Sequence, residues 1–283
     1  MVEEVMGFLG GRHRVLDMTL GAGGHAEALL RGGTQRLIGV DRDPDALASA
    51  TRRLAPFGER FHPLRARFSE VDADVVGGRV DGVLFDLGVS SMQLDEGDRG
   101  FSFRNAGPLD MRMEGDAPDA GPSAADLVNG LPEDELADLI FRLGEERRSR
   151  RIARAIVDAR GLQPIETTDR LASIVVGAVG RRPGGPHPAR RTFQALRLAV
   201  NREIEELAAS LPQAVDLLVP GGRVVVISYH SLEDRVAKGV FRDDPELRRL
   251  TKKPLVASET EIARNPRARA AKLRAAERLP EAA

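Results

Sequence analysis

The amino-acid sequence predicts an α/β fold, in which a parallel β-sheet is covered by helices on both faces and interrupted by a block of helices. Strand-like apolar runs alternate with helical patterns over the first third of the chain. The runs are residues 14–18, 37–40, 61–68 and 80–86. Such alternation is typical of parallel strands joined by crossover helices. An antiparallel α+β fold is the alternative, and the regular alternation argues against it.

Turn and capping residues set the limits of these elements. Glycines follow the first strand, and residues 24–30 form a predicted helix that ends at Gly32. Asp43 is a predicted N-cap for the next helix, because a carboxylate there accepts from free backbone N–H groups. Pro44 suits the first turn of that helix, and Pro56 marks its end.

A helical block interrupts the sheet pattern. Helical periodicity covers 132–144, 147–159 and 169–179, and a long helix is predicted over 192–209. No convincing strand appears until 223–228, where a fully apolar run follows a Pro-Gly-Gly turn. An insertion into one α/β domain explains this order better than two domains in tandem. We therefore predict a discontinuous sheet domain, 1–107 with 198–283, and an inserted helical domain, 108–197.

Composition excludes several classes of protein. The chain has 283 residues, 42% hydrophobic, with 42 Lys or Arg against 43 Asp or Glu, which is typical of a globular fold. No apolar run approaches the ~18 residues of a membrane span, and the acidic start lacks the basic region of a secretory signal. The expected location is therefore the cytoplasm, without a membrane partner. The absence of Cys excludes disulfide partners, thiolate metal sites and a thiol nucleophile, and no metal site is predicted.

The C-terminal segment 248–278 is strongly basic. It holds ten Lys or Arg and three Glu, which gives a net charge of +7 in a chain of net charge −1. We predict that it is a basic tail of the sheet domain. Charge alone leaves two roles open for it, a contact surface for phosphate groups or a solvated surface.

The turn after the first strand has the composition of a cofactor site. Glycines at 21 and 23 allow a ligand close to the backbone, and Asp41 follows about 20 residues later, where an acid can bind ribose hydroxyls. The spacing up to Ala26 also satisfies the nicotinamide fingerprint. However, Asp17 would repel a pyrophosphate and attract a sulfonium, which favours S-adenosylmethionine. A turn without a ligand is the third interpretation.

Two further strand ends carry polar side chains. Asp86 ends the fourth strand and is followed by small polar residues, while His230 follows the strand at 223–228. Because ligands bind at the carboxyl ends of parallel strands, Asp86 and His230 are candidate catalytic residues. Each also has a structural interpretation, since Asp86 can cap a turn and a lone His is more often structural.

Nine motifs stand in order along nearly the whole chain. They are Asp17-Met-Thr-Leu-Gly-Ala-Gly-Gly-His25, Gly39-Val-Asp-Arg-Asp-Pro44, Phe85-Asp-Leu-Gly-Val-Ser-Ser91, Gln93-Leu-Asp95, Arg99-Gly-Phe-Ser-Phe103, Gly107-Pro-Leu-Asp-Met-Arg-Met113, Arg191-Thr-Phe-Gln-Ala-Leu-Arg197, Ile227-Ser-Tyr-His-Ser-Leu-Glu-Asp-Arg235 and Asn265-Pro-Arg-Ala-Arg269. In these motifs the sequence resembles the bacterial small-subunit ribosomal RNA cytosine-N4 methyltransferase family, called RsmH or MraW.

This resemblance implies a Rossmann-like methyltransferase sheet with an inserted all-helical domain that recognises the substrate. It implies S-adenosylmethionine as cofactor and RNA-binding activity toward 16S rRNA, where the N4 of one cytidine in the decoding region, at the P site, is methylated. The cofactor contacts that it implies are Gly23, Gly24, His25, Asp41, Phe68, Asp86 and Gln93.

The missing Cys agrees with this chemistry on separate grounds. Methylation of cytosine at C5 normally uses a thiolate, which the chain lacks, whereas methylation at N4 needs no covalent enzyme intermediate. Two other functions stay open from the sequence alone. One is a nicotinamide-dependent oxidoreductase, and the other is a non-catalytic ribosome assembly factor that binds rRNA through 248–278 and 147–154.

Overall fold

The computed structural model of the chain describes residues 1–104, 106–115, 117, 120–181 and 183–280. The chain divides into two compact units, a sheet unit made of Met1–Gly88 with Ile204–Ala283 and a helical unit, Val89–Glu203. The helical unit begins earlier than the predicted insertion, 108–197, because the chain leaves the sheet directly after the strand that ends at Asp86.

Helices and strands alternate in the sheet unit, and only helices are assigned within the described part of the helical unit. In chain order the elements are α1 (Val2–Leu9), β1 (Arg14–Asp17), α2 (Gly24–Arg31), β2 (Arg36–Asp41), α3 (Pro44–Leu54), β3 (Phe61–Arg65), α4 (Ala73–Val76), β4 (Val80–Asp86), α5 (Ser91–Asp95), α6 (Ala124–Gly130), α7 (Glu133–Gly144), α8 (Ser149–Leu162), α9 (Thr168–Val179), α10 (Arg190–Val200), α11 (Glu203–Asp216), β5 (Leu218–Ser228), α12 (Ser231–Asp243), β6 (Leu247–Arg249), β7 (Leu255–Val256), α13 (Glu259–Arg264) and β8 (Lys272–Arg278). Among the described residues, no helix combines the length and apolarity needed to cross a membrane.

The sheet has the strand order β3-β2-β1-β4-β5-β8-β6, with β7 paired to β8. Strands β1 to β5 run parallel, and β8 is antiparallel to β5. The predicted α/β fold with a parallel sheet is therefore confirmed. The chain winds outward through β2 and β3 from one side of β1, and through β4 and β5 from the other. The carboxyl ends of β1 and β4 thus form a switch point, where open α/β sheets bind their ligands.

Alternate residues of the central strands are buried in two separate cores. Val83 and Phe85 of β4 pack into one core with residues of α11 and α12. Leu84, between them, packs into the other core with residues of α1, α2 and α3. Because side chains alternate across a strand, both faces must be apolar when helices cover both sides. This explains why β4 and β5 are almost continuous apolar runs.

The segment 248–278 is not a tail. Its last strand, β8, lies between β5 and β6 and pairs with β5 from Arg223 opposite Glu277 to Ser228 opposite Lys272. Leu273 and Ala275 are fully buried. The prediction of a tail was wrong because alternating cations hid the strand pattern of this segment.

Two of its arginines are structural. Arg274 is buried and its Nε lies 2.7 Å from Asp234 Oδ1. Arg278 is 7% exposed, and its Nη1 donates to the carbonyl oxygens of Asp216 (2.8 Å) and Leu218 (3.0 Å). Its Nη2 lies 3.0 Å from a carboxylate oxygen of Glu246. The charge of +7 is therefore only partly available to an outside ligand.

The helical unit is built around one apolar core. Ile140 of α7, Ile152 and Ile156 of α8, Leu171 of α9 and Leu196 of α10 are all fully buried within it. Gly144 ends α7 where an added Cβ would lie 2.5 Å from the carbonyl oxygen of Arg191. A residue without a side chain is therefore needed for α7 and α10 to approach this closely.

The helix predicted over 192–209 is two helices. Helix α10 ends at Val200, and Arg202 has a φ of 50°, which breaks the helical path. The Asn201 side chain is buried and bridges to another segment, donating to the carbonyl oxygen of Met111 at 2.8 Å and accepting from the N–H of Met113 at 2.9 Å. Apolar periodicity does not reveal such a break, because it is made by a polar tertiary contact.

We expect Arg278→Met to destabilise the protein by about 2–4 kcal/mol, because it leaves buried carbonyl groups without a donor. Arg249→Met is the matched control, since Arg249 belongs to the same basic segment but is exposed. Chemical denaturation of both variants measures the difference. Equal free energies of unfolding for the two variants would show that Arg278 does not hold the sheet.

Candidate active site

Three aspartates end neighbouring strands at one edge of the sheet. Asp17 ends β1, Asp41 ends β2 and Asp86 ends β4. These strands are parallel neighbours in the order β2-β1-β4, so their carboxyl ends lie side by side. The aspartates predicted from separate motifs are thus brought to a single edge.

The turn from β1 to α2 needs glycine. Gly23 is the N-cap of α2 with a φ of 78°, and an added Cβ would lie 3.2 Å from Leu54 and 3.3 Å from Ala50. Side chains other than glycine are strained in this left-handed region. The turn leads Gly24 and His25 into the first turn of α2, where free N–H groups attract a carboxylate.

Asp41 is fixed by backbone donors. One carboxylate oxygen accepts from the N–H of Gly21 at 2.9 Å, and the other accepts from the N–H of Asp43 at 2.9 Å. Burial raises the pKa of Asp41, although these N–H groups oppose the shift. A backbone hydrogen bond from Arg42 also opposes the shift, and a carboxylate has about four lone-pair sites, more than these three donors occupy. The carboxylate is therefore held in one orientation with capacity to accept from hydroxyl groups.

Asp17 is the most deeply buried of the three carboxylates, with 1% of the residue exposed. Its Oδ1 accepts from the backbone N–H of Thr19 at 3.1 Å. Burial raises the pKa of Asp17 to about 7, and the negative charges of Asp86 and Asp41 add to the effect, while His25 and the Thr19 N–H oppose it. A cation bound beside Asp17 would restore its charge, so the position suits a positively charged ligand.

Asp86 lies between two side-chain donors. Its Oδ2 is 3.3 Å from Nε2 of His25, and its Oδ1 accepts from the hydroxyl of Tyr229 at 3.0 Å. The backbone N–H of Asp86 also donates to the hydroxyl oxygen of Thr19. The carboxylate is thus tied to α2 and to the residue after β5, and the backbone of Asp86 is tied to the turn after β1.

These contacts change the acidity of both donors. Burial lowers the pKa of His25, but the hydrogen bond and the charge of Asp86, with the charge of Asp17, outweigh burial and raise it. Burial first, and then Asp86, raise the pKa of Tyr229, so that its hydroxyl remains a neutral donor. Nδ1 of His25 is buried without a hydrogen-bond partner among the described residues. An unsatisfied buried nitrogen at the start of α2 fits a site completed by a polar ligand.

Tyr229 was missed as a site residue by the sequence analysis, which selected His230 from the same polar segment. The signal was available, since Tyr229 is the one tyrosine of the sequence and directly follows β5. Strand β5 pairs with β4 so that Ile227 lies opposite Asp86. This register carries the tyrosine to the Asp86 carboxylate.

His230 has a well-defined structural role. It is the N-cap of α12, where its Nδ1 accepts from the N–H of Glu233 at 3.4 Å. Its Nε2 lies 3.1 Å from Oε1 of Glu233, whose Oε2 accepts from the backbone N–H of Tyr229 at 2.7 Å. The geometry favours the structural interpretation of His230, and a catalytic role for it stays a prediction.

Phe68 and Gln93 are the remaining predicted contacts. Phe68 follows β3 and packs edge-to-face on Phe85, with ring centroids 5.7 Å apart, which places an aromatic ring beside the strand that ends at Asp86. Gln93 belongs to the helical unit, where it forms a capping box at the start of α5 with Ser90, from whose N–H it accepts at 3.0 Å. Contact of either residue with a cofactor stays a prediction.

Comparison with known proteins gives the family. Residues 1–279 match the MraW methylase family. The chain is 52% identical over 288 residues to the ribosomal RNA small subunit methyltransferase H of Methylobacterium sp. strain 4-46, covering 93% of this chain and 84% of that protein. It is 53% identical over 264 residues to the protein of the same name from Gloeobacter violaceus, covering 93% of this chain and 82% of that protein.

The predicted family, enzyme class and cofactor are therefore confirmed, and the nicotinamide interpretation of the glycine turn is set aside. The deep Asp17, the glycine turn at Gly23 and the fixed Asp41 fit a cofactor that carries a sulfonium, an amino acid and a ribose. The chain belongs to the MraW methylase family and is a methyltransferase that uses S-adenosylmethionine.

Proposed function

We propose that this enzyme methylates the N4 amino group of a specific cytidine in the decoding region of 16S rRNA, at the P site. The names of its relatives support ribosomal RNA of the small subunit as the substrate. The proposal that N4 is the methylated atom rests on the Asp86 carboxylate, which two donors hold at the carboxyl end of β4. The proposed location is the cytoplasm, where ribosomes are assembled.

The proposed cofactor contacts divide by chemistry. Gly23, Gly24 and His25 hold the methionine portion at the start of α2, and Asp41 accepts from the ribose hydroxyls. Phe68 lies on the adenine side. Asp86 and Gln93 complete the proposed set. When bound, S-adenosylmethionine supplies an electrophilic methyl group.

Asp86 has the properties that an amino substrate requires. The lone pair of a cytosine amino group is delocalised into the ring, so the nitrogen is a weak nucleophile that must be aligned with the methyl group. His25 and Tyr229 each use one lone pair of a different Asp86 oxygen, which leaves acceptor capacity on both. We assign Asp86 to accept from the N4 amino group and to stabilise the positive charge that develops there.

No covalent intermediate between enzyme and substrate is needed. The nitrogen forms a bond to the methyl carbon, the bond from that carbon to sulfur breaks, and one N–H proton leaves. That proton is acidic enough in the methylated ammonium to pass to water. Methylation at C5 would require a thiolate, and the sequence contains no Cys.

The identity of the product is the first test. In a strain that lacks the gene, mass spectrometry of 16S rRNA should show the loss of one N4-methyl group from a cytidine in the decoding region. The gene should restore it, and an Asp86→Asn gene should not. Loss of a methyl group at another atom or base would disprove the proposed specificity, and no loss at all would disprove 16S rRNA as the substrate.

Cofactor affinity should depend on pH through Asp17. Its pKa of about 7 means that, below pH 7, a bound sulfonium must displace a proton. Calorimetry should therefore show S-adenosylmethionine binding about tenfold more tightly at pH 8 than at pH 6. Asp17→Asn should flatten this dependence, and Asp158→Asn, on the exposed side of α8, should not. An unchanged pH profile in Asp17→Asn would place the cation elsewhere.

Substitutions at Asp86 and Tyr229 should slow methyl transfer to different extents. Asp86→Asn should lower the single-turnover rate at saturating cofactor by ~10²-fold or more, the scale for losing a preorganised electrostatic contact. Tyr229→Phe keeps the ring and loses the hydroxyl that orients Asp86, so we expect a smaller loss, of about tenfold.

His230→Ala provides the contrast. It removes an N-cap, which should cost about 1 kcal/mol of stability, while the single-turnover rate changes less than in either other variant. Abolished turnover in His230→Ala together with normal turnover in Asp86→Asn would reverse these assignments.

A further inference from the structure

Two helices of the helical unit begin with arginines where acidic residues are usual. Arg147 and Arg148 directly precede α8, and Arg150 and Arg151 lie in its first turn. Helix α10 begins with Arg190 and Arg191. Neither helix has an acidic residue in its first turn. Because a helix N-terminus carries partial positive charge, these arginines oppose the helix dipole and reduce the stability of the fold.

The two helix starts are held against each other. The Arg148 guanidinium donates to the carbonyl oxygen of Val179, at the end of α9, at 2.7 Å. The Arg191 guanidinium donates to the carbonyl oxygen of Glu145, just after α7, at 3.0 Å. The buried carboxylate of Glu146 lies 3.8 Å from Nε of Arg148 and 3.9 Å from Nη1 of Arg191. The arginines of α8 and α10 therefore belong to one surface.

We call this surface the arginine face. It comprises Arg147, Arg148, Arg150, Arg151, Arg181, Arg190 and Arg191. All of them are exposed. Arg148 and Arg191 have the partners given above.

The other arginines of the face are available to a ligand. Within the part of the chain that the structure describes, Arg147, Arg150, Arg151, Arg181 and Arg190 make no hydrogen bond or ion pair through their side chains. Exposed arginines usually gain some stability from a nearby acid, and these lack it. These arginines reduce the stability of the fold, and no acidic side chain among the described residues offsets that loss. This indicates that they serve in binding.

The chemistry of the face fits a polyanion with regularly spaced charges. The guanidinium group presents a planar fork of donors that matches the oxygens of a phosphate group in a bidentate contact. A chain of net charge −1 that collects cations on one surface concentrates its attraction there. Phosphate contacts of this kind position an RNA without reading its bases.

We propose that the arginine face binds the phosphate backbone of the rRNA substrate, with Arg148 and Arg191 holding the surface in shape and Arg147, Arg150, Arg151 and Arg190 making the contacts. This rests on the proposed function for the identity of the RNA. It assigns the RNA contact to a folded surface of the helical unit, in addition to any contact made by 248–278.

A charge-matched pair of variants tests the proposal. The first combines Arg147→Gln, Arg150→Gln, Arg151→Gln and Arg190→Gln. The control combines Arg36→Gln, Arg52→Gln, Arg79→Gln and Lys238→Gln, which removes the same charge from exposed positions of the sheet unit. Both full-length variants are titrated with a 16S rRNA fragment that spans the decoding region, over a range of salt concentrations.

The face variant should bind the fragment at least tenfold more weakly at low salt. The slope of log Kd against log salt concentration should fall by roughly three, since each lost phosphate contact removes ~0.7–0.9. Its S-adenosylmethionine affinity should match that of the parent, and its unfolding midpoint should be equal or higher, because a helix-dipole conflict is removed. The control should follow the parent in RNA affinity.

Equal RNA affinity and salt slope in the face variant and the control would overturn the proposal. That result is separate from failure of the proposed function, which is decided by the methylated product of the parent enzyme. If the parent makes N4-methylcytidine and the face variant binds RNA normally, only the arginine face is disproved.

Discussion

The Asp86 carboxylate is the contact on which the arrangement of the active site depends. It joins the helix after β1 to the residue after β5 through His25 and Tyr229, while its own strand lies between β1 and β5. Three parallel strands are thereby fixed at one edge. Burial is the first cause of the raised pKa of Asp17 and of Tyr229, and the negative charge of Asp86 adds to both. Asp86 also raises the pKa of His25 against the effect of burial. One carboxylate therefore contributes to the geometry of the site and to the acidity of three of its side chains.

Local chemistry made the sheet and its cofactor edge predictable from the sequence. Strand β4 occupies the predicted residues, and Asp43 caps α3 by accepting from the N–H of Asp45, with Pro44 in the first turn. These features depend on neighbouring residues and on periodicity. The ends of β1, β2 and β4 were found for the same reason, since an acid directly after a buried apolar run is visible without any tertiary information.

Features that depend on distant contacts were not predictable in this way. Asn201 interrupts a helical pattern because of its bonds to Met111 and Met113, far away in the sequence. The hydroxyl of Tyr229 reaches Asp86 only because of the register in which β5 pairs with β4. The cations of β8 resembled a solvated segment, although Arg274 and Arg278 are buried with partners. In each case the position of a polar side chain is determined by a tertiary contact, and the pattern of apolar residues in the sequence carries no information about that contact.

The position of β8 also sets the order in which the chain can be completed during synthesis. Strand β4 leaves the ribosome before the entire helical unit, and β5, its partner, emerges after that unit. The helical unit is a contiguous stretch of chain, so it can fold before β5 and β8 of the sheet have been synthesised. Until Lys272–Arg278 emerges, the backbone N–H and C=O groups along one edge of β5 have no partner strand. The nascent protein is therefore most exposed to aggregation just before its last strand appears.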